Sequence, residues 1–184
     1  MTIEKRTSEA VGVGSLVNQI SGLLARGGGA LSTGDVAALR RMDPRSPAAA
    51  FFKLVGLVLD QHISGAPHAR LETETRWAAI IVGLAHLGDL HRRGMRLGRS
   101  LVDAGFSELR FDRLLRADAD RLIDELPMLA RFLSAKGVPA DWESASLLIL
   151  SAGRSDEEDA RRRLARDYYG AQAKANSESS TERP

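Results

Sequence analysis

The chain has 184 residues, with 26 Lys and Arg against 24 Asp and Glu and no cysteine. This length accommodates one domain or two small helical lobes. Because the formal net charge is only +2, a nucleic-acid role would have to rest on local basic patches and not on the global field. The absence of cysteine excludes disulfides, thiolate metal ligands and a cysteine nucleophile.

Apolar residues recur at spacings of three and four along the whole chain, which predicts an all-α bundle of about eight to nine helices. In chain order, the predicted helices cover residues 9–26, 35–42, 46–63 and 70–91, the segment between Gly94 and Gly105, and segments that begin at Ser107, Asp118, Asp141 and Ser155. Ser46, Ser107 and Asp118 are the expected N-caps, and Gly137 is expected to end the helix that Asp118 opens.

We expect four regions along the chain. They are a disordered N-terminus (1–9), an N-terminal helical lobe (10–105), a C-terminal helical lobe (106–173) and a disordered polar tail (174–184). The leucines predicted to be largely buried are Leu84, Leu97, Leu101, Leu114, Leu115, Leu126 and Leu150. No apolar run is long enough to span a bilayer, so we expect a cytoplasmic protein without membrane contact.

A row of arginines lies on two consecutive short helices. Arg110, Arg113 and Arg116 project away from the apolar side of the second helix, and Arg96 and Arg99 lie one turn apart on the first. Guanidinium groups at this spacing suit a string of phosphates. The alternative is a solvated face whose arginines pair with the neighbouring acids Asp103, Glu108, Asp112 and Asp118.

Two further basic clusters are weaker candidates. Arg40 and Arg41 lie together on a short helix, where exposed arginines are usually only solvated. Arg161, Arg162 and Arg163 follow an acidic run at 156–159, so they would either bind nucleic acid or a partner, or be neutralised along their own helix.

No residue pattern indicates catalysis. The four histidines lack the spacing of a zinc site, there is no nucleophile elbow, and the glycine run at 27–29 is not followed by the Lys-Ser/Thr of a phosphate loop. We therefore expect neither enzymatic activity, nor a metal, nor a cofactor. Because aromatic residues are few, we expect phosphate contacts without base reading.

Two consecutive motifs carry a family resemblance. Gly94-x-x-Leu97-Gly98-Arg99-x-Leu101, followed by Arg110-Phe111-x-x-Leu114-Leu115-Arg116-Ala117-Asp118, resembles the CasB family, the small subunit of the type I-E CRISPR Cascade complex. Ala38-Leu39-Arg40-Arg41, the apolar helix at 77–87, Asp141-Trp142 and the basic-aromatic segment 161–169 are similar to that family in the same order. Leu164 stands where the family often has tryptophan.

The resemblance implies a non-enzymatic, all-helical protein of two lobes that sits as a dimer in the guide-RNA complex beside other Cascade subunits. It implies contacts to the crRNA–target and displaced-strand backbones that help to hold the R-loop open in antiviral defence. By position, Arg99, Arg110, Arg113 and Arg116 are the first candidates for these contacts, followed by Arg40, Arg41 and Arg96.

Two other classes of protein remain open. A stand-alone helical DNA-binding regulator would require a helix-turn-helix, and no segment has the polar base-reading side chains of one. A purely structural interaction subunit would keep the same fold without binding nucleic acid.

Overall fold

The computed structural model describes residues 12–25, 29–63 and 65–181. Over these ranges the chain folds into nine α-helices and two isolated β-bridges, without a strand, so the predicted all-α fold is confirmed. The helices are α1 (Val13–Ala25), α2 (Thr33–Arg41), α3 (Ala49–Leu54), α4 (Pro67–Leu87), α5 (Leu97–Asp103), α6 (Glu108–Leu115), α7 (Ala119–Lys136), α8 (Glu143–Ser151) and α9 (Glu157–Thr181). A π-helical turn (Val55–Leu59) prolongs α3, and a 3-10 turn (Gly88–Leu90) follows α4.

Helix α4 is the centre of the bundle. Residues 76–85 are all buried, because α7 packs along α4 and α1, α2 and α8 contact it as well. Gly83 faces the indole of Trp142, and a Cβ at this position would lie 2.5 Å from Cζ2 of that ring. Trp142 Nε1 donates a hydrogen bond to the Ile80 carbonyl at 3.2 Å, so the glycine allows a large aromatic side chain to reach the α4 backbone.

A second close approach joins α5 to α9. A Cβ on Gly98 would overlap the backbone nitrogen of Tyr168, so these two helices are in backbone contact at this point. Leu97 and Leu101 are buried on either side of the glycine. The contact places Arg99 of α5, and Arg96 directly before the helix, beside the surface of α9.

Helix α6 is attached to α9 through an aromatic cluster. The rings of Phe111 and Tyr168 are stacked, with centroids 3.8 Å apart. The Tyr168 hydroxyl donates to the Phe106 carbonyl and the Tyr169 hydroxyl donates to Asp112 Oδ1, each at 2.7 Å. These contacts hold the apolar side of α6 inward and therefore turn its arginines outward.

Several predicted helix ends were correct. Asp118 caps α7 by accepting a hydrogen bond from the Arg121 backbone nitrogen at 2.9 Å, and Gly137 ends that helix in the left-handed conformation. The predicted N-cap at Ser46 was wrong, since α3 begins at Ala49. Asp43 accounts for the difference, because its side chain and carbonyl accept hydrogen bonds from the next turn and compete with helix formation there.

Other boundaries also differ from the prediction: α2 begins at Thr33 and not at Asp35, and α4 ends at Leu87 and not at His91. Helix α4 begins at Pro67, three residues before the predicted start, because proline is pre-organised for the first helical position. We predicted disorder from Lys174, whereas α9 continues through Thr181. The packed part of α9 supplies the helical nucleus, and extending an existing helix through residues such as Ala173 and Ala175 is inexpensive.

Five of the seven predicted core leucines are buried, and Leu115 and Leu150 are partly buried against the core. The division into lobes at 105/106 stays a prediction. The contacts of α4 with α7 and of α5 with α9 cross that boundary. The predicted disordered N-terminus (1–9) lies outside the described residues.

Candidate nucleic-acid interface

The arginines of α6 are exposed to solvent. Phe111 and Leu114 are buried on the inner side of this short helix, and Arg110, Arg113 and Arg116 lie on the outer side. Ser107 precedes α6 as predicted, although its hydroxyl makes no capping hydrogen bond. The orientation of the three arginines thus follows from the helical period and from the aromatic attachment to α9.

Of the four acids that the alternative interpretation paired with the arginine row, Asp103 does pair with Arg99, and the three beside α6 have other partners. Asp112 accepts from Tyr169, Asp118 caps α7, and Glu108 accepts from Gln172 Nε2 at 3.5 Å. Within the described ranges, no carboxylate lies within ion-pair distance of Arg110, Arg113 or Arg116. Three guanidinium groups are therefore available to an external anion.

Arg110 and Arg113 share a groove between α6 and α7. The cavity has a volume of about 280 Å³, and its wall is mainly apolar. The other residues that line it are Phe106, Leu114, Glu125, Met128, Leu129 and Phe132.

Arg96 and Arg99 lie over a different groove, between α5 and α9. Arg96 is 3.3 Å from Asp167 and Arg99 is 3.6 Å from Asp103, and both arginine side chains remain mostly exposed. This cavity of about 430 Å³ is also lined by Arg166 and Lys174. The structure thus brings Arg96 together with Arg99, but it places Arg99 in a different groove from Arg110 and Arg113. Sequence reasoning did not single out Lys174, which joins the group only through the packing of α9.

Arg161 is committed to the fold. Its guanidinium donates to the carbonyls of Leu115, the last residue of α6, and of Ala117, and it pairs with Glu157. The hydrogen bond from Arg161, together with one from the Gly153 backbone nitrogen, holds the pKa of the Glu157 carboxyl below its usual range. Since all of its guanidinium nitrogens already donate hydrogen bonds within the protein, Arg161 is not part of the proposed interface.

The two arginines that follow Arg161 are exposed. Arg162 pairs with Glu158 at 2.8 Å along α9. Arg163 lines a shallow depression with Arg96 and Arg166, so it belongs with the basic residues of the α5–α9 surface.

Arg40 and Arg41 are both exposed at the end of α2. Arg40 Nε donates to the Ala85 carbonyl at 2.6 Å, which ties α2 to α4 and fixes the position of this guanidinium. Arg41 has no ion-pair partner among the residues described.

His86 and His91 are partly buried within the fold. His91 Nδ1 accepts from the Trp142 backbone nitrogen at 3.2 Å, and Nε2 contacts Asn18 Oδ1 at 3.0 Å. Burial lowers the pKa of His91 and of His86, and for His86 the nearby Arg131 and Arg40 lower it further. Across the described part of the chain, no three His, Asp or Glu side chains cluster as a metal site would require.

The structure defines an all-α protein with exposed arginines on α6 and beside α5. Comparison with known proteins then assigns the chain to a family. Residues 35–169 match the family model of CRISPR-associated protein Cse2. The chain therefore belongs to the Cse2 family, and the resemblance to the small-subunit (CasB) family of the type I-E Cascade complex is confirmed.

A solved structure shares the fold. The chain is similar to the crystal structure of CasB from Thermus thermophilus, with a TM-score of 0.62 and 24% sequence identity. The match covers 87% of this chain and 99% of that chain. A sequence search of curated proteins gave no match. None of the described helices is long and apolar enough to cross a membrane.

Proposed function

We propose that this chain is the non-catalytic, nucleic-acid-binding small subunit of a type I-E Cascade effector complex. In this role it stabilises the R-loop, which comprises the crRNA–target heteroduplex and the displaced strand, through sequence-independent backbone contacts in antiviral defence. Membership of the Cse2 family supports the role in the complex.

One observation carries the nucleic-acid part of the proposal. Arg110, Arg113 and Arg116 are exposed on one short helix, and the acids beside them are bonded elsewhere. An arginine without a carboxylate partner binds phosphate without first giving up an ion pair. We propose that the nucleic-acid backbone binds along the arginines of the α5–α9 and α6–α7 grooves. Arg40 and Arg41 are further candidates for these contacts.

The energetics of R-loop formation favour such a subunit. Replacing a DNA duplex by an RNA–DNA heteroduplex is close to balanced in free energy, so modest backbone contacts shift the equilibrium. Base pairing supplies the sequence specificity, and a protein that contacts only phosphates acts on every target alike. We also propose that the subunit acts as a dimer beside other Cascade subunits and the crRNA.

A second candidate function is a structural subunit that binds only proteins. Phe52 is 52% exposed and Leu57 is 50% exposed, on α3 and the π-helical turn that follows it. A contiguous exposed apolar patch is typical of a protein contact surface, so the second function requires these side chains to be part of one. The two functions make opposite predictions for nucleic-acid binding by the arginines of α6.

The decisive experiment measures the salt dependence of DNA binding. In wild-type protein, log affinity should fall linearly with log salt concentration because each bound phosphate releases condensed counterion. The double variant Arg110→Ala/Arg113→Ala should reduce this slope by about one to two units, at roughly one unit or less per phosphate contact. Its melting temperature should stay near that of the wild type, because both side chains are exposed.

The matched control is Arg45→Ala/Arg70→Ala. These two arginines are exposed and are paired with Asp124 at 2.6 Å and Glu74 at 3.0 Å. The control removes the same formal charge, so an equal loss of slope in both variants would mean that only net charge matters. An unchanged slope and affinity in the α6 variant would favour the purely structural subunit.

A further inference from the structure

The groove between α6 and α7 combines two free cations with an apolar cavity. We propose that this groove accommodates one unstacked nucleobase of the bound strand, while Arg110 and Arg113 hold the adjacent phosphates. The inference rests on the proposed function and adds a binding site for the base to the contacts with the backbone.

The wall of the groove has the chemistry that a base face requires. Phe106 and Phe132 are partly buried, and their rings meet edge to face with centroids 5.3 Å apart. Leu114 and Leu129 are buried beneath them, and Met128 is 51% exposed at the opening. An aromatic and thioether wall binds any base by its π-face, so such a site is tolerant of sequence.

The size of the cavity limits its occupant. At about 280 Å³ it lies just below the range of about 300–1,000 Å³ that is typical of pockets for drug-sized ligands. This volume suits a single ring system. It suits a ring better than the row of anchors that an amphipathic helix inserts into a protein-binding groove.

The charges at the groove favour a nucleotide over an apolar protein side chain. Arg110 and Arg113 lie at the apolar wall without a carboxylate partner in the described chain. The phosphates on either side of the base would therefore form ion pairs with these two arginines. Glu125 also lines the cavity and makes no ion pair with these arginines. Its carboxylate is available to accept a hydrogen bond from an exocyclic amino group or a ring N–H.

The test compares two single strands of equal length that share the same phosphate backbone. One carries thymine throughout, and the other carries abasic sites. Isolated full-length protein should bind the base-bearing strand about tenfold more tightly, at the low end of what stacking on an aromatic side chain contributes. Both strands should give similar salt slopes, because their phosphate contacts are the same.

Two variants locate the base in this groove. Phe106→Leu removes an aromatic face at nearly constant volume, and Met128→Ser removes the exposed thioether. Each should reduce the ratio of the two affinities by roughly threefold. The matched control is Leu71→Ser, an equally exposed apolar residue on α4 that lies away from the groove, and it should leave the ratio unchanged.

Each other outcome overturns the proposal in a recognisable way. Equal affinity for both strands with a normal salt slope would contradict the base site and leave the proposed backbone binding intact. Failure to bind either strand would contradict both the base site and the proposed backbone binding. If Phe106→Leu and Met128→Ser keep the wild-type ratio but no longer assemble with the other effector subunits, the groove is a protein-docking surface.

Discussion

The Tyr169 hydroxyl donates a hydrogen bond to Asp112 Oδ1 at 2.7 Å, which joins α9 to α6. Asp112 is also four residues before Arg116, the spacing at which an acid and a base pair along a helix. Asp112 is hydrogen-bonded to Tyr169 in the structure and makes no ion pair with Arg116. The aromatic cluster therefore both positions α6 and engages the acid that the helical spacing would pair with Arg116.

This hydrogen bond has a titration signature. The bond to Asp112 stabilises the protonated phenol and raises the pKa of Tyr169 to about 12. Asp112→Asn should return the pKa toward the usual value of 10, measured by absorbance titration of the phenolate. Glu108→Gln should lower it less, because Glu108 acts on Tyr169 only through space. Equal shifts in the two variants would mean that no specific hydrogen bond exists.

Arg161 is predicted to stabilise the fold and not to bind nucleic acid. Arg161→Ala leaves the carbonyls of Leu115 and Ala117 without their donor and should reduce the free energy of unfolding by about 2–3 kcal/mol. The neighbouring Arg162→Ala removes only an exposed ion pair and should cost less than about 1 kcal/mol. Urea denaturation distinguishes the two, and equal losses would contradict the structural role.

The contrast between Arg161 and the α6 arginines marks what the sequence could predict. Helical periodicity was enough to predict that Arg110, Arg113 and Arg116 are exposed, because their orientation depends on local spacing. Arg161 pairs with the nearby Glu157, as the i,i+4 alternative allows, but its two carbonyl acceptors lie 44 and 46 residues away, and no local pattern reveals such contacts. Local spacing also left open a pairing of the α6 arginines with the acids beside them, and it could not show that Asp112 is bonded to Tyr169 instead.

A buried arginine was missed for the same reason. Arg76 donates to the carbonyls of Ile149, Leu150 and Ala152 at the end of α8, at 2.8–3.2 Å. The position of Arg76 directly before the apolar stretch of α4 was the one feature of the sequence that could have indicated its burial. The burial itself depends on where α8 ends, which the sequence of α4 does not contain.

His91 makes the stability of the protein sensitive to acid. Asn18 Nδ2 donates to the Gly14 carbonyl at 2.7 Å, so its Oδ1 faces His91 Nε2 and accepts from it. His91 Nδ1 accepts a hydrogen bond from the Trp142 backbone N–H and so carries no proton. The ring is therefore neutral in the folded protein. Burial lowers the pKa of His91 below its usual 6.5, although nearby Asp141 acts in the opposite direction.

Because the unfolded chain takes up this proton more readily, the stabilisation is complete above about pH 6.5 and is lost as the pH falls through the lower pKa of the folded state. His91→Asn should cost about 1–2 kcal/mol at pH 8 through the lost hydrogen bonds. That difference from wild type should shrink toward pH 5 in chemical denaturation experiments. A difference that stays constant with pH would contradict the neutral-ring assignment.

The contact between α5 and α9 is predicted to require a glycine at position 98. In Gly98→Ala the new methyl group would overlap the Tyr168 backbone, so the two helices must separate, at a cost of about 1–3 kcal/mol. Gly22→Ala on α1 is the matched control. Nothing lies within 4 Å of the position that a Cβ would take there, and a helical alanine should stabilise the protein by about 0.4–1 kcal/mol. Thermal denaturation should therefore move in opposite directions for the two variants. Stabilisation by both would show that α5 and α9 are not in backbone contact, and the basic groove lined by Arg96, Arg99 and Arg166 would lose its structural basis.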